Sequence, residues 1–170
     1  MEAIVVYDSV WGNTKTVAAA IAQGLGPDVR AFATDTVPLE RLATADLIVA
    51  GSPVYALKLP TEATRASIVQ KEAHGPEPDL THPSLRSWLD GLPEGHGFGA
   101  AFETRLRFSP MGATGTIAKK LGKAGYRPLG NAKFVVRGKY GPLREGELER
   151  AREWGRHLRH VMETSVSRAA

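Results

Sequence analysis

Short runs of nearly uniform apolar residues occur at positions 3–7, 46–51, 98–102 and 133–138, and a weaker run covers residues 29–33. Runs without polar alternation are typical of strands buried on both faces, as in a parallel sheet covered by helices. Segments with helical spacing lie at 14–25, 61–71, 84–91, 114–124 and 144–162. This alternation of strand and helix predicts an α/β fold built on a doubly wound parallel sheet.

Residues 72–83 interrupt the alternation. They contain three prolines, one glycine and several charges, and they fit neither a helical nor a strand period. We interpret this stretch as an exposed loop inside a single domain covering residues 1–170, because too little chain lies on either side for two domains of ordinary size.

The charge and composition narrow the possible functions. The net charge is +4, with 22 basic and 18 acidic residues, but the two signs are mixed along the chain, which indicates solvated faces rather than a nucleic-acid surface. No apolar run is long enough to span a membrane, and the first residues lack the features of a secretory signal, so we expect a cytoplasmic protein. The absence of cysteine excludes disulfides, thiolate metal sites and thiol nucleophiles.

The turn after the first predicted strand, residues 8–14, has the composition of an anion site. Ser9, Asn13 and Thr14 offer short polar side chains, and Gly12 allows the backbone to approach a ligand closely. A helix that begins at Thr14 would present free N–H groups, which suit a phosphate. The spacings of the P-loop and of the dinucleotide-binding glycine motif are absent. An ordinary, well-capped connection between strand and helix fits the same residues.

Two further strands are followed by polar, shaped segments, GSPVYALKLP at 51–60 and FETRLRFSPMG at 102–112. The carboxyl ends of parallel strands lie at one edge of a sheet, where ligands bind in such folds. Tyr55 could stack there on a planar ring, or it could merely pack over the end of the sheet.

These three segments resemble the flavodoxin-like family. Residues 9–14, SVWGNT, resemble its phosphate loop, GSPVY at 51–55 resembles its first ring-flanking loop, and AFETR at 101–105 resembles its second. The resemblance implies a five-stranded parallel sheet in the order 2-1-3-4-5 that binds flavin mononucleotide (FMN) without a covalent bond. Ser9, Gly12, Asn13 and Thr14 would hold the phosphate, Tyr55 would cover one face of the ring, and the backbone of residues 104–107 would contact its pyrimidine edge. The predicted cofactor-binding residues are Ser9, Val10, Trp11, Gly12, Asn13, Thr14, Ser52, Pro53, Val54, Tyr55, Ala56, Glu103, Thr104, Arg105, Leu106 and Arg107.

The sequence also departs from the family pattern. Trp11 stands where many members have threonine, and the second ring-flanking loop brings Arg105, Arg107 and Phe108 in place of the tyrosine found in many electron carriers. Arginines near the ring would stabilise the anionic reduced flavin, so we expect a weaker reductant than in the acidic flavodoxins. The alternative is that both arginines point into water.

The family resemblance leaves several functions open. The first is an electron carrier that exchanges electrons with a reductase and an acceptor protein. The second is an NAD(P)H- or quinone-dependent oxidoreductase in which residues 56–83 cover a substrate pocket. The third is an interaction module without flavin. We expect neither metal-ligating nor catalytic residues, because arginines surround His157 and His160 and no carboxylate or cysteine completes a ligand set, and because Glu103 has no paired carboxylate or histidine nearby.

Overall fold

The structure is a computed structural model that describes the backbone of residues 1–169 and the side chains of residues 1–165. Its centre is one sheet of five parallel strands in the order β2-β1-β3-β4-β5, which confirms the predicted fold and strand order. The strands are β1 (Ala3–Tyr7), β2 (Arg30–Ala33), β3 (Leu47–Pro53), β4 (Phe98–Leu106) and β5 (Arg127–Val136).

Helices cover both faces of the sheet. They are α1 (Asn13–Leu25), α2 (Leu39–Leu42), α3 (Glu62–Lys71), α4 (Leu85–Asp90), α5 (Thr114–Lys123) and α6 (Glu147–Ala169). Apolar residues of α1 and α6 form a core with one face, and those of α4 and α5 form a second core with the other. Continuous apolar strands such as β1 are buried because both faces are covered.

The bounds of several elements differ from those predicted. β4 continues to Leu106, so Glu103, Thr104 and Arg105 belong to the strand rather than to the loop after it. β5 covers residues 127–136 rather than 133–138, α6 begins at Glu147 rather than at residue 144, and the short α2 was not predicted. β5 is an edge strand whose first half is largely exposed, so it carries no apolar run there. Residues 72–83 form neither helix nor strand, as predicted.

Helix α1 is held close to α6 by two glycines. A Cβ atom at Gly24 would overlap the backbone carbonyl oxygen of Arg152, and one at Gly155 would overlap that of Ile21. The two helix backbones therefore approach more closely than any side chain would permit. This contact fixes the carboxyl-terminal part of α1 against α6.

Within residues 1–169 we find no helix that has both the length and the apolar character needed to cross a membrane.

Candidate functional site

A narrow cleft of about 230 Å³ lies at the carboxyl edge of the sheet, between the segments that follow β1, β3 and β4. Eleven of the sixteen predicted cofactor-binding residues line it. They are Val10, Trp11, Asn13, Thr14, Pro53, Val54, Tyr55, Ala56, Thr104, Arg105 and Leu106. The three segments therefore converge on one cleft, as the parallel topology requires.

The other five predicted residues do not line this cleft. Ser9 and Gly12 line a second cavity on the other side of the turn, and Arg107 lines a neighbouring groove. Ser52 is fully buried, and its hydroxyl donates to the carbonyl of Pro53. Glu103 is also fully buried.

The turn at residues 9–14 is an array of free hydrogen-bond donors. Among the hydrogen bonds of the described residues, none comes from the backbone N–H groups of residues 10–14. The hydroxyl of Ser9 and the indole Nε1 of Trp11 are buried and have no partner in the described chain. Buried donors are normally paired, so five successive free N–H groups together with two orphaned side-chain donors form a set that an anion could satisfy.

Gly12 gives the turn an unusual backbone conformation. Gly12 has φ 87°, a left-handed conformation that favours glycine, and it stands directly before α1. A Cβ atom there would meet nothing within 4 Å, so the space in front of it is open. The left-handed residue connects the free N–H groups of the turn directly to the amino end of the 13-residue helix α1, an end that favours negative charge.

The second cavity, of about 420 Å³, lies on the far side of the same turn. Ser9, Gly12 and Lys15 line it, and Trp11 lines both cavities. The Lys15 side chain is exposed, and it adds a positive charge beside the free N–H groups. Glu77 and Asp79 also line this cavity, so its charge is mixed, and the cleft on the other side of the turn, which has no acidic lining residue, is the better place for a negative ligand.

Trp11 is held by two tyrosines. Its ring centroid lies 5.2 Å from that of Tyr140 in an edge-to-face arrangement, and 6.2 Å from that of Tyr55 in a tilted one. Such geometries are favourable for aromatic pairs. The bulky ring at the position of the expected hydroxyl is therefore packed against its neighbours rather than loose.

Glu72 ties these aromatic residues together. Its carboxylate accepts hydrogen bonds from the hydroxyls of Tyr55 (3.2 Å) and Tyr140 (2.7 Å), and Lys139 forms an ion pair with it at 2.5 Å. The bonds from Lys139 and Tyr140 hold the pKa of Glu72 below its ordinary value, and the pKa of Lys139 is raised in return. Glu72 is therefore an anchor for Tyr55 rather than a free acid or base.

A buried charged group lies under the turn. The Oδ1 of Asp8 contacts His82 Nε2 at 3.1 Å and Arg65 at 3.6 Å, and its Oδ2 accepts from the backbone N–H of Leu85. Asp79 faces the other ring nitrogen of His82 at 3.6 Å. The hydrogen bond to Asp8 raises the pKa of His82 above its ordinary value, although burial acts in the opposite direction.

Glu103 and Arg105 form an ion pair of 2.9 Å beside the cleft. The other carboxylate oxygen of Glu103 accepts from the backbone N–H groups of Ala113 and Thr114, at the beginning of α5. Glu103 therefore caps a helix and does not face the cleft. The Arg105 side chain is only 11% exposed and lines the cleft, whereas Arg107 is exposed to water.

The last residue of β5 and the segment after it also contribute to the cleft, which the sequence did not predict. Val136 and Lys139 line the cleft, and the side-chain amide of Asn13 donates to the carbonyl oxygen of Tyr140 at 3.0 Å. Gly141 has φ 103°, and a Cβ atom there would lie 2.5 Å from Asn13 Oδ1. In such folds ligands bind at the carboxyl ends of the parallel strands, and β5 ends at the same edge of the sheet, so the same reasoning could have predicted this segment.

Comparison with known families gives one match. A sequence model described as a flavodoxin domain matches residues 4–72, which include β1, the turn at 9–14, β3 and Tyr55. A search of curated protein sequences finds no match.

Solved structures of similar fold cover nearly the whole chain. A flavodoxin from the domain Archaea shares 22% identity over 96% of this chain and 99% of its own, with a TM-score of 0.63. Flavodoxin 2 from Bacillus cereus shares 17% identity over 93% and 97%, with a TM-score of 0.64. A flavodoxin, WrbA-like protein from Agrobacterium tumefaciens shares 19% identity over 95% and 97%, with a TM-score of 0.58. At these identities the similarity shows the fold.

Proposed function

We propose that this chain, whose fold is flavodoxin-like, binds FMN without a covalent bond and carries electrons between a reductase and an acceptor protein in the cytoplasm. The observation that carries the proposal is the array of unpaired donors at residues 9–14, beside a cleft that contains Tyr55. Bound FMN would supply the acceptance and release of electrons.

The residues of the turn fit the phosphate of this cofactor. The backbone N–H groups of residues 10–14, the Ser9 hydroxyl and the Trp11 indole N–H would donate to it, and the amino end of α1 would add a favourable dipole. Hydrogen bonds to a charged group contribute about 1.5–3 kcal/mol each, whereas the dipole adds about 0.3–1 kcal/mol. Most of the phosphate affinity would therefore come from the hydrogen bonds.

The remainder of the cleft would hold the ring. Tyr55 would cover one face, since its hydroxyl is fixed by Glu72 and its ring stands beside Trp11. The backbone of Thr104 and Arg105 would face the polar edge of the ring. The positive charge of Arg105 is partly balanced by Glu103, so the cleft is less positive than the two arginines suggest in the sequence.

Titration of the flavin-free protein with FMN and with riboflavin tests the proposal. We expect quenching of flavin fluorescence, with FMN bound at least tenfold more tightly than riboflavin, because riboflavin lacks the phosphate that the free donors would bind. Ser9→Ala should weaken FMN binding and leave riboflavin binding unchanged. Ser67→Ala serves as the matched control, because its hydroxyl bonds within α3, to the carbonyl of Thr64. A protein that takes up neither flavin overturns the proposal.

The identity of the electron donor that reduces the flavin distinguishes an electron carrier from an oxidoreductase. A carrier should keep its flavin oxidised for minutes in the presence of NADH or NADPH alone, and become reduced when a reductase is added. Rapid bleaching by NAD(P)H without a reductase would instead assign an oxidoreductase of the same fold. The measurement is the flavin absorbance near 450 nm under anaerobic conditions.

A further inference from the structure

A groove of about 750 Å³ adjoins the cleft at the end of β4 and β5. Leu57, Leu106 and Val136 line both the groove and the cleft, so the two are continuous. No acidic residue lines the groove. Six of its ten lining residues are apolar, so it is a largely apolar surface at the mouth of the proposed flavin site.

Exposed apolar side chains are concentrated on this surface. Phe108 is 86% exposed, Leu106 48% and Leu57 47%, and Met111, which follows in the chain, is 57% exposed. Phe108, Leu106 and Leu57 line the groove, whereas Met111 does not, and these three are among the seven large apolar residues that are exposed within the described side chains. A contiguous patch of this kind usually marks an interaction site, and aromatic residues are enriched at protein interfaces.

Three arginines surround the apolar residues. Arg107, Arg137 and Arg144 line the groove, are exposed, and have no carboxylate partner among the described side chains. Elsewhere many basic residues are paired, as Arg41 is with Glu2. The guanidinium of Arg107 lies 5.3 Å from the ring centroid of Phe108, a geometry that presents both groups together to a partner.

The turn that carries Leu57 is strained. Ala56 and Leu57 have φ values of 49° and 69°, and the turn is closed by two backbone hydrogen bonds between Tyr55 and Lys58. Left-handed conformations cost a side-chain-bearing residue roughly 1–2 kcal/mol, and such turns usually contain asparagine or glycine. The turn holds an exposed leucine at the mouth of the cleft at a cost in stability, which is typical of functional positions.

We infer that this surface, defined by Leu57, Leu106, Phe108, Arg107, Arg137 and Arg144, docks an acidic protein whose own contact face combines carboxylates with an apolar centre. Charge complementarity selects the partner, because three unpaired arginines attract carboxylates and oppose a basic surface. The inference rests on the proposed function in one respect: docking here would place the partner beside the flavin.

The probe is cytochrome c in two forms, native and succinylated. Both are the same haem protein, but the native form is basic and succinylation makes it acidic. Sedimentation velocity, followed at the haem absorption band, measures binding without relying on the flavin. In a buffer of ~10 mM ionic strength we expect the acidic form to bind at least tenfold more tightly than the native form, and this preference to disappear at ~200 mM salt.

Variants assign the binding to the surface. Arg107→Gln and Arg137→Gln should each weaken the binding of the acidic probe several-fold and reduce the salt dependence of that binding. Phe108→Ser should also weaken the binding, but it should leave the salt dependence unchanged. Arg30→Gln is the matched control, because Arg30 is exposed and lies at the opposite end and opposite edge of the sheet. Equal binding of the two probe forms, an equal effect of Arg30→Gln, or self-association of the protein through the groove overturns the inference.

The same measurements on flavin-free protein separate this inference from the proposed function. Charge-selective binding by a protein that takes up no FMN would overturn the proposed function and leave the docking surface supported. Uptake of FMN without charge-selective binding would support the proposed function and overturn the docking surface.

Discussion

Replacing Trp11 by phenylalanine removes one N–H group and keeps an aromatic ring beside Tyr140 and Tyr55. In the flavin-free protein the indole Nε1 is buried without a partner. If the phosphate of FMN accepts a hydrogen bond from Nε1, this substitution should lower the affinity for FMN without lowering the free energy of unfolding of the flavin-free protein.

The magnitudes follow from the environment of Nε1. An unsatisfied buried donor costs about 1–3 kcal/mol, and its removal relieves that cost in the flavin-free protein. The smaller ring loses packing worth about 1 kcal/mol, from roughly 40 Å² of buried area. Flavin-free Trp11→Phe should therefore be at least as stable as the parent. Losing a hydrogen bond to a charged group should weaken FMN binding roughly 10- to 150-fold.

Two measurements on each protein provide the assay. Urea unfolding of the flavin-free forms gives their stability, and fluorescence titration gives the dissociation constants of FMN and riboflavin. Riboflavin should bind Trp11→Phe as it binds the parent, since it has no phosphate. Trp11→Thr, which introduces the hydroxyl that the resemblance to the flavodoxin-like family leads us to expect here, should recover FMN affinity relative to Trp11→Phe. The reasoning is refuted if FMN affinity is unchanged in Trp11→Phe, or if riboflavin affinity falls as much as FMN affinity.

Three further substitutions test other parts of the structure. Gly155→Ala should lower the free energy of unfolding in urea by about 2 kcal/mol or more, because the new Cβ atom would overlap the backbone of α1. The control is Gly122→Ala, at an open and exposed position in α5, which should be neutral or stabilising. Because the pKa of His82 is raised by Asp8, its contribution to stability is complete below about pH 6.5 and is lost as the pH rises through the higher native pKa. His82→Gln should abolish that loss, so stability measured between pH 6 and 9 should no longer fall in this way; an unchanged pH profile contradicts the assignment. Arg105→Ala should lower the flavin midpoint potential by on the order of tens of millivolts in redox titration, because it removes a positive charge beside the cleft, and an unchanged or higher potential contradicts this expectation.

The parallel sheet could be predicted because β1, β3 and the first half of β4 are buried on both faces and therefore read as uniform apolar runs. The first half of β5 could not, since an edge strand leaves much of its surface in water and carries a mixed sequence. The end of β4 was interpreted as a loop because Glu103 and Arg105 are charged. Their charges are accommodated inside the strand by pairing with each other and with the first N–H groups of α5.

Most of the candidate site could also be predicted, because its residues follow buried strands in the sequence. The roles of the individual side chains in the site could not be predicted from the sequence. Whether Glu103 faces the cleft or caps α5 depends on contacts with Ala113 and Thr114, ten and eleven residues away. The contact of Trp11 with Tyr140 joins positions that are remote in the sequence, and no local pattern encodes such a pair.

The hydrogen bond between Asn13 and Tyr140 has a consequence for the synthesis of the chain. The turn that presents the free donors is made among the first residues, but the segment that closes over it follows the fifth strand, and the helix that fixes α1 comes later still. A chain that emerges from the ribosome therefore carries the turn with its free donors long before the segment that contacts it has been made. If the turn binds FMN as we propose, uptake of the cofactor has to wait until nearly the whole polypeptide has been made and folded.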